Sequence, residues 1–556
     1  MAISKATSLV ANRPNKKIDL VLALVFALSF FVIGLQQVDQ AVDLGWHDTG
    51  WYLKNAIQIH ETGGLRGFFS HCFNGTYREA NQHPLYLVLL SFFASRNLTF
   101  FTKAKLVSFS IGLLTLIVTY FLVLSLYGRA VAILSTLLLE FNSYFLRESS
   151  HVAAEILLVL ASLLAWYFII KGFEKNKFWI AAGLFAGLAY LSKGSGIFFL
   201  FIFVLSAFFI QGFSVLRNKY FYYFFLAFGL ISLPLLWRNA LVYHNPIFNI
   251  NSHVMWLDNW KQTYDPAYSK HPPNLIIYFK THSLDQAFGR MVIGSKKELF
   301  LLFDSLKLTG YLQQFYVGLL FGVLAIFGFF LDLDKRRRLV NLLFLASFFM
   351  FFSWYNPIVA DARFILPLIP ILFILASVAL VKIVKKIACI VGINSFWQNK
   401  NVKIWAYVFT ILIIWVVPTV HLLSQGLGNP FHSYRTAPGY TELLQWLEKN
   451  ITARDKYILW PAHNYWFEWY APIQGESIPF PEVKDFSLLR KFIAFKGITY
   501  IIIHPEMIQE RKNILKTYFQ VDSVGGVHQL RPVAHWTKIW QPPIKPVPFL
   551  IFKVTD

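Results

Sequence analysis

Long apolar runs alternate with short polar stretches along most of the chain, and the polar stretches are sorted by charge. A run of about 18 apolar residues, wound at 1.5 Å per residue, crosses a hydrocarbon core of roughly 30 Å. The pattern predicts about eleven such spans, at 18–37, 104–126, 130–146, 152–170, 178–192, 195–211, 219–242, 309–331, 339–355, 362–381 and 403–423. The first is longer than the core of a signal peptide and no small-residue cleavage site follows it, so it reads as a retained span. The run 85–94 holds only about 11 apolar residues, too few to cross. It is expected to lie on the outer leaflet as an interfacial or re-entrant helix.

Parity then sorts the loops. With the basic flank Lys5, Arg13, Lys16 and Lys17 in the cytoplasm, the same side receives Arg129; Lys171, Lys175 and Lys177; Arg217 and Lys219; Lys335, Arg336, Arg337 and Arg338; and Lys382, Lys385, Lys386, Lys400 and Lys403. That is the positive-inside pattern, and counting 85–94 as a span would invert it. The expected protein is a multi-pass component of the cell (inner or plasma) membrane with a cytoplasmic amino terminus and external loops at 38–103 and 243–308. Hydropathy falls after the last span. A helical period at T-E-L-L-Q-W-L-E-K-N, a helix at 484–496 stopped by Gly497, and β-rich runs beginning at 456, 498 and 549 predict a small extracytoplasmic α/β domain over 424–556, behind a transmembrane domain over 1–423.

Composition agrees: 56% of the residues are hydrophobic, 18% aromatic and 14% charged, which no ordinary soluble domain matches. The formal charge of +22 is in large part an orientation signal that also suits anionic lipid head groups, so no nucleic-acid role is expected. The two cysteines, Cys72 and Cys389, fall on opposite sides in this topology, so no disulfide and no cysteine metal site is expected.

The polar residues expected at the outer boundary are Asp48, Glu61, His83, Arg147, Glu148, His151, Glu155, Lys193, Arg238, Asp361 and Arg363. Ionisable groups at that depth are costly unless paired or wetted, and a set drawn from several spans indicates a functional cavity. Each has a plainer reading. Asp48-Thr49 opens an amphipathic segment and makes a good helix cap; Glu61 precedes Gly63-Gly64 as a solvated helix end; His83-Pro84 can separate two segments; Glu155 can pair locally with His151 or Arg147; Lys193, Arg238 and Arg363 can snorkel.

The order of these residues along the chain resembles a known family. W-H-D-T-G-W-Y-L-K-N-A-I-Q-I-H-E-T-G-G at 46–64 is similar to the first external loop of GT-C glycosyltransferases of the protein O-mannosyltransferase and aminoarabinose transferase type. Q-H-P-L-Y-L at 82–87, A-G-L-F-A-G-L-A-Y-L-S-K-G-S-G at 182–196, W-R-N-A-L-V-Y-H-N-P-I-F at 237–248 and A-R-F-I-L-P-L-I-P at 362–370 resemble further motifs of that family in the same order. The likeness runs from about residue 18 to 380, and the carboxy-terminal domain is similar to the soluble domains many bacterial members carry. Two departures stand out. Thr49 occupies a position where the family often has a second acid, and the later external acid is Glu155 or Glu148 rather than Asp.

The resemblance implies a mainly α, GT-C-type fold and an integral-membrane, inverting glycosyltransferase. Such an enzyme moves a sugar from a polyprenyl-phosphate donor to a glycan, lipid or protein acceptor on the outer face. It implies Asp48 as general base, Glu155, Glu148 and Glu61 as candidate acids on the acceptor side, and Lys193, Arg238, Arg363 and His83 as candidate ligands of the donor phosphate. No cofactor is expected; a divalent ion between Asp48 and Glu155 is the alternative left open. The rival class is a transporter or flippase for a glycolipid, which would be expected to show repeats and helices broken near mid-membrane.

Overall fold

The computed structural model describes residues 16–41, 48–264, 268, 271–390, 440–460, 473–479, 486–503, 519–521, 530–532, 536–540 and 550–554. The chain is mainly helical. In order, the helices are α1 (Lys16–Gln40), α2 (Thr49–Glu61), α3 (Gly64–Phe73), α4 (Pro84–Ser91), α5 (Thr99–Tyr127), α6 (Arg129–Glu140), α7 (Ser143–Ser150), α8 (Glu155–Gly172), α9 (Phe178–Ser192), α10 (Phe198–Gln211) and α11 (Lys219–Tyr243). There follow α12 (Asn251–Val254), α13 (Leu275–Thr281), α14 (Leu284–Ser305), α15 (Phe315–Leu331), α16 (Lys335–Tyr355), α17 (Leu368–Ile390), α18 (Tyr440–Asn450) and α19 (Phe486–Lys496).

Among the described residues, seven helical segments are long and apolar enough to cross a membrane: α1, α5, α8, the segment Gly194–Arg217 that contains α10, α11, α16 and the first 20 residues of α17. Two more, α9 and α15, are apolar but shorter. Side chains such as Leu20, Leu24, Phe209, Leu226 and Leu320 stay exposed on these helices, as side chains turned to hydrocarbon do. The expected span 403–423 lies outside the described residues.

The expected span 130–146 is not one helix. It breaks at Phe141 and Asn142, where Asn142 accepts from Phe145 N at 2.9 Å and donates to the carbonyls of Ser305 and Lys307. A tertiary anchor thus outweighs local helix propensity. Most of the segment 85–94 falls in the short helix α4, which packs against α2, α3, α5 and α9 with Tyr86, Leu87 and Leu90 buried. Within the expected external loop 243–308, α14 is a 22-residue helix whose apolar face (Leu284, Phe288, Val292, Phe300) is exposed.

Helices approach one another closely where glycines face a neighbour, those of the 182–196 motif among them. A Cβ on Gly183 would stand 2.1 Å from Phe224 O, so α9 and α11 meet backbone to backbone, as small residues allow between membrane helices. At one end of the bundle ion pairs tie the helix ends together: Asp19 holds Arg129 at 2.7 Å, and Asp332 holds Arg337 at 2.7 Å. Near the opposite end the buried Lys105 donates to Val38 O and Ala41 O, both at 2.8 Å, capping the last carbonyls of α1 seven residues before Asp48.

The carboxy-terminal part carries a mixed five-stranded sheet in the order β2-β1-β3-β7-β6, from β1 (Lys456–Trp460), β2 (Glu476–Pro479), β3 (Tyr500–Ile503), β6 (Trp536–Trp540) and β7 (Leu550–Val554). The strands β4 (Phe519–Val521) and β5 (Leu530–Pro532) form a separate antiparallel pair. Three strands, β1, β3 and β7, are the β-rich runs read from the sequence, and α19 ends before Gly497 at a left-handed φ of 64°.

Candidate active site

Asp48 stands at the amino-terminal cap position of α2, yet its side chain makes no capping bond. It turns away to the guanidinium of Arg363, with Nη1 to Oδ2 at 2.9 Å. The capping reading of Asp48 therefore fails, and a contact across 315 positions takes its place.

Arg363 lies in the 3₁₀ turn Ala362–Ile365 that leads into α17. Asp361 starts that turn by accepting from Arg363 N at 3.0 Å, and its second oxygen lies 3.1 Å from Arg363 Nε. The same Nε is 3.9 Å from Glu155, the first residue of α8. Glu155 accepts in turn from Lys193 Nζ, which projects from the extended residue ending α9 and packs over the Phe364 ring. Four helix ends thus deliver three carboxylates and two cations to one cluster. Within it Glu155 is 2% exposed, Asp361 18% and Asp48 36%, so Asp48 is the most accessible of the three acids.

Arg238 and His83 form the adjoining part. Arg238, buried near the end of α11, lies between the rings of Tyr77 and Tyr243, at 5.2 and 5.4 Å, and donates to Glu79 O. Among the described residues its Nε has no hydrogen-bond partner, nor has His83 Nδ1. The His83 ring meets Tyr190 edge-on at 5.0 Å, and its Nε2 is 3.2 Å from where a Cβ on Gly194 would stand. That approach explains the glycine after Lys193. Arg238 and Lys193 are both within electrostatic range of the imidazole.

Burial, then these two cations, push the His83 imidazole down from 6.5 to about 4, so near neutral pH it is uncharged and acts as a hydrogen-bonding group. Between these values the unfolded chain binds a proton the folded one refuses, so stability rises with pH there. Acidification from pH 6.5 to 4 is expected to cost about 3 kcal/mol through this residue. Melting curves of His83→Gln across that range should show a correspondingly flatter acid limb than wild type; identical limbs would contradict this account.

Not every expected residue joins the cluster. Glu148 is buried and paired with Arg147 at 3.0 Å, in electrostatic range of Glu155 and Arg363 but not in contact with them. Glu61 is placed elsewhere: it closes α2, 13 residues and roughly 20 Å along the helix from Asp48. There it forms an exposed two-point pair with Arg96, at 2.6 and 2.8 Å. The hydrogen bond from Arg96 lowers its carboxyl below the ordinary value, which is the signature of a surface tie.

Residues 83–237 match the family model described as dolichyl-phosphate-mannose-protein mannosyltransferase. Among curated protein sequences no match was found. Solved structures give broad likenesses. The oligosaccharyltransferase AglB of Archaeoglobus fulgidus, in complex with an inhibitory peptide and a dolichol-phosphate, superposes with a TM-score of 0.58 at 11% identity, over 95% of this chain and 80% of that one. ArnT of Cupriavidus metallidurans, bound to undecaprenyl phosphate, gives 0.51 at 14% identity, over 96% and 97%. These likenesses show that the chain shares the fold of these two membrane proteins.

Proposed function

We propose that the chain is an integral-membrane, inverting glycosyltransferase that moves a sugar from a polyprenyl-phosphate donor to an acceptor hydroxyl or amine at the outer membrane face. The observation that supports it most is the joining of Asp48, through Arg363, to the Glu155–Lys193 pair at one end of a helical bundle. The acid stands at the start of α2, and the cations Arg363 and Lys193 stand in the same cluster. GT-C structures with lipid phosphates bound in them point the same way.

In this reading the acceptor oxygen or nitrogen attacks the anomeric carbon as the bond from that carbon to the phosphate oxygen breaks. The proton passes to Asp48, a general-base contribution worth typically about 10²–10⁴ in rate. The electron pair leaves on the phosphate, whose growing charge is met by Arg363, Lys193 and Arg238, with His83 as a neutral hydrogen-bonding partner. A single displacement of this kind inverts the anomeric centre. Glu155 fixes Lys193 and Arg363, and Glu148 holds Arg147 behind it.

The guanidinium of Arg363 stands between Asp48 and Glu155, the place a bridging divalent ion would need. We therefore expect turnover without a metal. The test is sugar release from an undecaprenyl-phosphate sugar by the full chain in lipid vesicles, with and without EDTA. Turnover unchanged by EDTA fits this charge arrangement; loss restored by magnesium would favour the divalent alternative at Asp48 and Glu155. No release from any polyprenyl-phosphate sugar, with alternating access to both sides instead, would restore the transporter reading, which the fold does not favour.

A further inference from the structure

The carbonyls of residues 78–81 all accept from one stretch of chain. Arg78 O accepts from Tyr243 Oη at 2.6 Å, Glu79 O from Arg238, Ala80 O from Ile250 N at 3.1 Å and Asn81 O from Asn249 Nδ2 at 2.9 Å. Four consecutive carbonyls thus dock onto the 237–250 segment, the end of α11 and the turn after it. The amides on the other side of this stretch are gathered by one side chain. Glu79 Oε1 accepts from Asn81 N at 2.7 Å and from Gln82 N at 2.9 Å.

The second oxygen of Glu79 accepts from Asn55 Nδ2 at 2.9 Å, and the same Asn55 amide reaches Gln82 Oε1 at 2.9 Å. Asn55 is buried in the middle of α2, two turns from Asp48. His83 follows Gln82 directly. One carboxylate therefore links the helix that begins at Asp48 to the turn that presents His83, and its own carbonyl receives Arg238.

We infer that Glu79 is a positioning residue for the donor phosphate: it touches no substrate, but it holds the 79–82 turn so that Arg238 and His83 face the site together. Ordered outer partners of this kind fix the direction of the groups that bind. The inference rests on the functional reading above, in which Arg238 and His83 lie on the phosphate side.

Reversing the polarity of the Asn55–Glu79 bond provides the test. Glu79→Gln keeps an oxygen for the two backbone amides but sets an NH₂ group against the NH₂ of Asn55, so two donors meet. Asn55→Asp alone sets two carboxylates together. Combined, the substitutions rebuild the bond with donor and acceptor exchanged, and Gln82 satisfies Asp at position 55 by turning its amide.

The full chain in detergent, titrated with undecaprenyl phosphate, should show about tenfold weaker binding in each single variant, the size of one lost aligned hydrogen bond. Binding should return to within about twofold of wild type in the double variant, each variant being assayed well below its own melting temperature. Glu79→Gln binding as tightly as wild type, or a double variant no better than the singles, would each overturn the positioning role. A wild-type chain that binds no undecaprenyl phosphate would instead sink the functional reading, and this inference with it.

Discussion

Asp48→Asn is expected to lower turnover by about 10²–10⁴ while leaving the protein folded. The amide is the same size and still accepts a hydrogen bond from Arg363 Nη1, so the link between α2 and the Ala362–Ile365 turn persists. Only the capacity to take a proton is lost. The other acids cannot substitute: Glu155 is buried and held by Lys193, and Asp361 is spent on its own turn and on Arg363. Donor binding should be largely kept, because removing one negative charge leaves the cations free for the phosphate. The measurement is single-turnover sugar release beside undecaprenyl-phosphate affinity. Turnover within a few fold of wild type would remove Asp48 as the base.

Much of the helical architecture was legible in the chain because apolar run length is a local quantity. The break at Asn142 was not, since a single polar residue in an apolar run looks tolerable until the carbonyls of Ser305 and Lys307 arrive from elsewhere. Nor was α14: its apolar positions lie on one face among Asp285, Lys296, Lys297 and Glu298, so its mean hydropathy resembles that of a loop. In the sheet, the edge strands β2 and β6 were missed, and β2 ends on Pro479, which argues against a strand in sequence.

The site divides along the same line. Asp48, Glu155, Lys193 and Arg363 could be singled out because each stands where an apolar helix begins or ends. Glu61 had the same appearance, and only its partner Arg96, 35 residues on, separates it from them. Which acid meets which cation is a property of packed helix ends. Glu79 carried no sequence signal, because its bonds go chiefly to backbone amides and to the single side chain of Asn55.

Arg363→Met should be the most damaging single change, in activity and in stability together. The thioether is uncharged and fills much of the space, so the effect isolates the missing charge. Asp48, Glu155 and Asp361 would then share one cation, Lys193, and taking one partner from a buried ion pair costs about 3–5 kcal/mol. The lower part of that range is expected, since Asp48 is 36% exposed and water can take up part of its charge. Turnover should fall at least as far as in Asp48→Asn, because the phosphate loses a guanidinium and the base loses its orientation. Arg363→Lys should fall between, as an ammonium reaches one carboxylate at a time where the planar fork spans Asp48 and the Glu155 side. The decisive comparison adds Asp48→Asn to Arg363→Met. Removing one acid with the cation should recover part of the melting temperature, because fewer charges are left unpaired, yet turnover should recover not at all. Stability and catalysis would then separate within one pair of residues, as expected if Arg363 both balances the acids and meets the leaving phosphate. A double variant that regained turnover along with stability would leave Arg363 a structural counter-ion and nothing more.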